Sequence, residues 1–414
     1  MAKPEIRLKG FKGEWENLKI GELSDILTGY PFEGPTIRKN GKYLLMRGIN
    51  ITEGFIRHSD DIDRYFDGDI TGLKKYELRT NDLVIGMDGS KVGKNSALVT
   101  ERENGSLLVQ RVARLRNNNI NINRLIQIAL RSAKFMQYVE GIKTSSAIPH
   151  ISPSDIYNFE ISLSNNLEEQ RSIADYFKSL DSMIQGVTKK IASLKQMKQA
   201  CLVSMFPQAG ETKPRVRFKG FKGEWEEKRL SDCLDISTER NFDNKFGKED
   251  VLSVSDDFGV MNQIELLGRS YAGKSVSNYG ILKTGEIVYT KSPLKSKPFG
   301  IVKQNTGKTG IVSVLYAVYM AKEGTAADYI HYYFDPDWRL NDYLRPLVNK
   351  GAKNTMNISD EMALTGYIMI PKDINEQLKI ASYFRSLDKQ ISLQEARLEK
   401  LKQIKAACLD KMFV

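Results

Sequence analysis

EQRSIADYFKSLDSMIQGVTKKIASLKQMKQACLVSMF, residues 169–206, decides the fold, because the chain writes it twice. Residues 376–413 read EQLKIASYFRSLDKQISLQEARLEKLKQIKAACLDKMF, with 19 identities in 38 aligned positions at an offset of 207. The apolar positions Ile173, Phe177, Leu180, Ile184, Val187, Ile191 and Leu194 step alternately by 4 and 3. Their counterparts are Ile380, Phe384, Leu387, Ile391, Gln394, Leu398 and Leu401, a heptad seam with one polar interruption at Gln394. The pattern predicts two helices of about 40 residues, each about 60 Å long. Gly186 should cost the first about 1 kcal/mol relative to Ala. Beyond Leu194 and Leu401 the seam is expected to continue through Met197 and Cys201, and through Ile404 and Cys408. Each helix needs an apolar partner, and the other copy, packed antiparallel, supplies one. A parallel homodimer through either helix is the rival arrangement. The two cysteines read as core thiols, because no histidine accompanies either one.

A second element repeats. KGFKGEWE stands at 9–16 and again at 219–226, flanked in both copies by Pro and Arg (Pro4 and Arg7, Pro214 and Arg217). The order is therefore a short signature, a variable block, a long helix, then the same again. The resulting divisions are 1–166, a first globular domain; 167–207, a first helix; 208–373, a second globular domain; and 374–414, a second helix. The blocks between the repeats carry short β-type runs: DLVIG (82–86), SALVT (96–100), LLVQRVARL (107–115), EIVYT (286–290) and GIVSVLYAVYM (310–320). Helical patches are expected over 123–140 and 327–348, the second interrupted by Pro336 and Pro346. LRTNDLVIGMDGS (78–90) resembles LKTGEIVYTKSP (282–293), so the blocks are expected to share a fold while their surfaces differ. The fold class is α+β: two globular domains, two long antiparallel coiled-coil helices, and a pseudo-twofold internal repeat. By that symmetry residues 4–16 should lie close to the end of the second helix.

The chain has 414 residues, 41% hydrophobic and 27% charged, which are globular values. It has no run of 18 apolar residues and no apolar stretch at its start, so neither a membrane span nor a secretory signal is expected. Three cysteines make no disulfide framework, which fits a cytoplasmic location. Catalytic patterns fail in turn. GMDGSKVGKN (86–95) breaks the phosphate-loop pattern at Asp88 and Asn95. There is no G-x-G-x-x-G, no G-x-S-x-G and no Asn-Pro-Pro-aromatic. Pro336-Asp337 lacks a following Glu-x-Lys, and Asp60-Asp61 and Asp256-Asp257 read as solvated loops. The three histidines, His58, His150 and His331, have no metal-ligand spacing. No catalytic residue, metal or cofactor is expected in this chain.

The charge is informative. The net value of +11 points to a polyanionic partner. Residues 274–308 hold seven lysines against one acid and read as basic loops between strands; Lys291, Lys295 and Lys297 are candidates for phosphate contact. The first block offers Lys91, Lys94, Arg111 and Lys143. Arg111 and Arg114 read as one strand, which would send them to opposite faces. KTSSAIPHIS (143–152) and KGAKNTMNIS (350–359) occupy equivalent places before each helix. Both are polar and basic, and their candidates for base contact are Thr144, Ser145, Ser146, His150, Lys350, Lys353 and Asn354.

This pattern resembles the specificity subunit of type I restriction–modification enzymes. The features that carry the resemblance are the GEWE signature opening each half, the basic loop before each helix, E-Q-x-x-I-A-x-Y-F-x-S-L-D and L-K-Q-x-K-x-A-C-L. They extend over essentially the whole chain. The resemblance implies that each block is a target recognition domain reading one half of a bipartite, asymmetric target in double-stranded DNA. It implies that the helices space the halves and dock two DNA methylation subunits. Restriction and translocase subunits would join these. S-adenosylmethionine, ATP and Mg would then lie on the partners, which methylate adenine at N6 and cleave DNA. A non-catalytic coiled-coil scaffold with two peptide-binding domains is the alternative reading.

Overall fold

A computed structural model describes residues 4–89, 91–142, 149–292, 297–350 and 356–413. The chain divides into two compact units, Met1–Thr188 with Ala396–Val414, and Lys189–Glu395. Each unit combines one globular part with the beginning of one long helix and the end of the other. Those helices span Leu167–Ser204 and Ile374–Met412, close to the lengths that the heptad pattern predicts.

In the first unit a four-stranded antiparallel sheet runs in the order Asp25–Thr28, Val112–Arg116, Leu83–Gly86, Ser96–Leu98. In the second unit the order is Leu234–Ile236, Ala317–Ala321, Ile287–Tyr289, Val302–Gln304, again antiparallel. The two sheets have the same sequential plan, so the variable blocks share a fold. A two-stranded ribbon closes each unit: Trp15–Lys19 pairs with Glu160–Ser164, and Glu226–Arg229 with Tyr367–Ile370. The first unit adds a three-stranded sheet of Tyr65–Phe66, Tyr43–Met46 and Leu107–Leu108.

The helices pack antiparallel within each unit. In the first, the Tyr176 hydroxyl lies 3.7 Å from Cys408 Sγ, and the Phe177 and Phe413 rings meet. In the second, Cys201 Sγ lies 3.4 Å from the Tyr383 hydroxyl, and Phe206 stacks on Phe384. Ile173, Phe177, Leu180, Ile191, Leu194, Ile380, Phe384, Leu387 and Ile391 are buried as the seam requires. Each such side chain contributes about 1.5–3 kcal/mol. Ile184, Leu398 and Leu401 are only half-buried. The expected continuation of the seam is wrong at Met197 and Ile404, which are 43% and 37% exposed. After Leu194 the buried stripe steps by four, to Lys198. That ammonium pairs with Asp335 at 3.0 Å and Asp388 at 2.8 Å.

The signature is a seat for the start of each long helix. Arg7 donates to both oxygens of buried Glu169 at 2.6 and 2.7 Å, and to the carbonyls of Lys12 and Gly13. Arg217 repeats this with Glu376, both at 2.7 Å, and with Lys222 and Gly223. The loop turns at glycines of positive φ, Gly10 and Gly13, then Gly220 and Gly223, which a side chain would strain. Trp15 meets Phe413 and Trp225 meets Phe206, with ring centroids 6.2 and 6.3 Å apart. The Ile6 amide donates to the Lys411 carbonyl at 3.1 Å. Residues 4–16 thus lie beside the end of the second helix, as the repeat predicts.

Three local expectations are corrected. The run 310–320 breaks into two strands, Gly310–Val312 and Ala317–Ala321. The run 107–115 is not one strand: it breaks into Leu107–Leu108 and Val112–Arg116, and Arg111 between them takes φ 66°. The patch 123–140 is two helices, Ile120–Ala129 and Ala133–Ile142.

Candidate nucleic-acid interface

The first unit contains a cleft of about 1000 Å³. Four cations, Arg47, Arg57, Lys91 and Arg111, face it, against two carboxylates, Glu53 and Asp88. Asn95 and Gln110 line it as well, and Phe32, Ile49 and Phe55 supply apolar surface. The sheet plan brings these residues together. The strand Leu83–Gly86 runs into Asp88, and the break before Val112–Arg116 puts Arg111 opposite it. Arg111 Nη1 donates to Asp88 Oδ2 at 3.0 Å, and Met87 takes the Arg111 carbonyl through its amide. Positive φ is uncommon for a residue with a side chain, and here it turns Arg111 toward the cleft rather than along the strand. Lys91 lies 3.6 Å from Glu53. Arg47 and Arg57 have no carboxylate partner among the described residues, so their charge is available to an anion.

The cleft wall includes a tight hairpin over residues 50–57. The Thr52 amide and hydroxyl both donate to the Phe55 carbonyl, and the Arg57 amide donates to the Asn50 carbonyl. Arg57 Nε holds the Ile49 carbonyl at 2.7 Å. The Gly54 amide donates to the Ser96 carbonyl, anchoring the tip on the sheet. Gly54 takes φ 103°, and a Cβ there would lie 2.7 Å from Arg131 Nη2. Arg131 in turn donates to Asp181 of the first long helix at 3.0 Å.

Among the residues singled out from sequence, Lys91 and Arg111 lie in this cleft. Lys94 is exposed on the adjoining turn. His150 bridges Asp88, with its neighbour Ile151 donating to the Met87 carbonyl, so the described end of that polar loop borders the cleft. Lys143, Thr144, Ser145, Ser146, Lys295, Lys353 and Asn354 lie outside the described residues. The backbone of Lys350 pairs with Met356 in a short ribbon. Arg114 is buried beside Asp25, and burial followed by the charge of Arg116 pulls its guanidinium below the usual value.

In the second unit residues 274–308 form strands with loops between them, as the sequence suggests, but most of their described lysines are paired with carboxylates rather than free. The stretch contains the strands Gly280–Leu282, Ile287–Tyr289 and Val302–Gln304. Lys283 pairs with Glu239, and Lys291 with Asp360 at 2.5 Å. Lys297 is bound by Asp256 and Asp337, and Lys303 by Asp335 and Asp256. Burial opposes the charge on Asp335, but Lys303 and Lys198 outweigh it and hold this carboxyl well below the carboxylate range. The formal excess of lysine is thus largely neutralised inside the fold. Lys274 and Lys308 remain exposed and enter none of these pairs.

Arg47, Arg57, Phe55, Asn95 and Gln110 escaped the sequence reading, which weighed clustered charge. The one local signal was RGINITEGFIR (47–57), a glycine turn with an arginine at each end and an aromatic beside it. Among the described residues no cluster of His, Cys, Asp and Glu fits a metal ion, and no helix is long and apolar enough to cross a membrane.

Residues 12–196 match the family model of the type I restriction modification DNA specificity domain. A curated relative, the type I restriction enzyme EcoAI specificity subunit of Escherichia coli, is 29% identical over 191 residues. That match takes in 45% of this chain and 31% of the relative, so the chain spans about a third of the relative's length there. Among solved structures, the S subunit of a type I restriction-modification system from M. genitalium aligns over 100% of this chain and 99% of its own. It gives a TM-score of 0.61 at 15% identity, and the two share a fold.

Proposed function

We propose, from the premise that residues 12–196 belong to the family of type I restriction modification DNA specificity domains, that this chain is the DNA-reading specificity subunit of such a system. The observation that carries the reading is the cleft of the matched region, where Arg47 and Arg57 face outward without a carboxylate partner among the described residues. Phosphate contacts of this kind supply affinity and register but no sequence information. Base choice falls to the amides of Asn95 and Gln110 and to the guanidinium of Arg111, whose donor–acceptor patterns suit adenine and guanine edges. Lys91, Lys94 and His150 complete the same face.

The second unit, built on the same strand order, reads the other half of a bipartite target. Of the stretch 274–308, whose other described lysines are neutralised by carboxylates, Lys274 and Lys308 contact the DNA backbone. Because the two blocks differ in sequence, the two halves of the target differ as well. The long helices dock two methylation subunits, which bring S-adenosylmethionine, and restriction subunits bring ATP and Mg. The chain itself binds and orients and does no chemistry. Methylome sequencing of cells expressing the chain with its methyltransferase tests the reading. The expected result is an interrupted, non-palindromic motif methylated only when this chain is present; a continuous or palindromic motif would overturn it.

A further inference from the structure

The hairpin beside the cleft and the turn leading into it expose two large apolar side chains, Phe55 at 57% and Ile49 at 44%. Nothing in the fold requires this, since neither packs into a described core. The hairpin is also unusually well fixed: it holds its own carbonyls, hangs on Ser96 through Gly54, and abuts Arg131. A rigid apolar tip flanked by Arg47 and Arg57 matches the chemistry of side chains that enter a DNA base step. Cations grip the phosphates on either side while the apolar group replaces the lost stacking.

We propose that Phe55, supported by Ile49, is a wedge that enters one base step of the duplex and unstacks it, making the first unit a reader of DNA deformability as well as of base edges. This rests on the DNA-reading function above. Steps that open easily, pyrimidine followed by purine, are favoured at the point of entry. Specificity at that step therefore needs no hydrogen bond to a base.

The test uses the complex recovered from its native cells through a tag on the full chain. A target is first selected from a pool of random 40-bp duplexes, about four helical turns. 2-Aminopurine is then placed at successive steps of the half-site that depends on the first unit. The expected result is a fluorescence rise at one step with the native chain, lost with Phe55→Ala and restored with Phe55→Trp. Affinity should fall about 10- to 100-fold in Phe55→Ala, the range for removal of a base-stacking aromatic. Arg57→Ala should instead flatten the salt dependence of binding and keep the fluorescence rise at saturation. Full binding and full fluorescence in both Phe55→Ala and Ile49→Ala would overturn the wedge while leaving DNA reading intact. Failure of the native complex to select any duplex would overturn both.

Discussion

Arg7 and Arg217 show what a single side chain carries here. Each sends a bidentate fork into a buried glutamate at the start of a long helix and caps the turn of its signature loop. Burial alone would raise the Glu169 carboxyl, but Arg7 holds it below the carboxylate range. Removing the arginine strands a buried charge, so Arg7→Ala and Arg217→Ala should each cost about 3 kcal/mol. Lysine should restore only part of that, because it lacks the fork. Equal losses in the two variants, measured by urea denaturation, would confirm that the repeat is energetic as well as textual. His331 is a second case. Its half-buried ring has Nδ1 closed off from solvent and unpartnered. Burial, then the nearby Lys303 charge, hold it well below its ordinary value of 6.5. The folded ring stays neutral where the unfolded chain takes up a proton, so stability present above pH 6.5 is lost as the pH falls. The slope approaches about 1.4 kcal/mol per pH unit. His331→Gln should flatten the fall in stability between pH 7 and 5.5; an unchanged slope would refute this. Neither role was visible in the sequence. The partner of Arg7 lies 162 positions away, and the burial of His331 is a property of the packed unit.

At the scale of elements, the helices were the most legible part of the sequence. The seam from Ile173 to Leu194 is written in apolar residues at the right steps, and burial follows it at every step but Ile184, which is half-buried. Legibility ends at Lys198, because a lysine reads as surface until its carboxylates are known. Its side chain is mostly buried, and Asp335 and Asp388 meet the ammonium. The polar interruption at Gln394 makes a sharper prediction. Its Oε1 is buried without a hydrogen-bond partner. Gln394→Leu should therefore raise stability by about 1 kcal/mol, seen as a higher denaturant midpoint at unchanged slope. A lower midpoint would mean that the amide has a role that packing does not reveal.

At the scale of the molecule, the duplicated plan was readable and the candidate interface was not. The repeat is one-dimensional information. The cleft is made by a sheet whose order joins residues from 32 to 111, and no local pattern states that order. Arg111 illustrates the gap. Its place in an apolar run implied a strand, yet the chain turns left-handed there and delivers the side chain to the cleft. The plan predicts that the ends can be moved. Joining residue 413 to residue 4 and opening the chain between Gln208 and Thr212 should leave both units folded, because the Ile6–Lys411 contact already brings those segments together. Gel filtration and cooperative unfolding of the permuted chain check this, with aggregation as the adverse outcome.

The interleaved ownership of the helices also orders events in time. The first unit comprises Met1–Thr188 together with Ala396–Val414, so its last strip is made only after the whole of the second unit, Lys189–Glu395. Leu409, Met412 and Phe413 close over Trp15, Phe177 and Leu180 in one core cluster. During synthesis that core stays open for roughly 10 to 40 s, the time needed for the remaining chain at usual elongation rates. The nascent chain is therefore most vulnerable to aggregation and most in need of chaperones while the second unit is being translated. A slow codon there prolongs the exposure of a domain whose own coding sequence was finished long before.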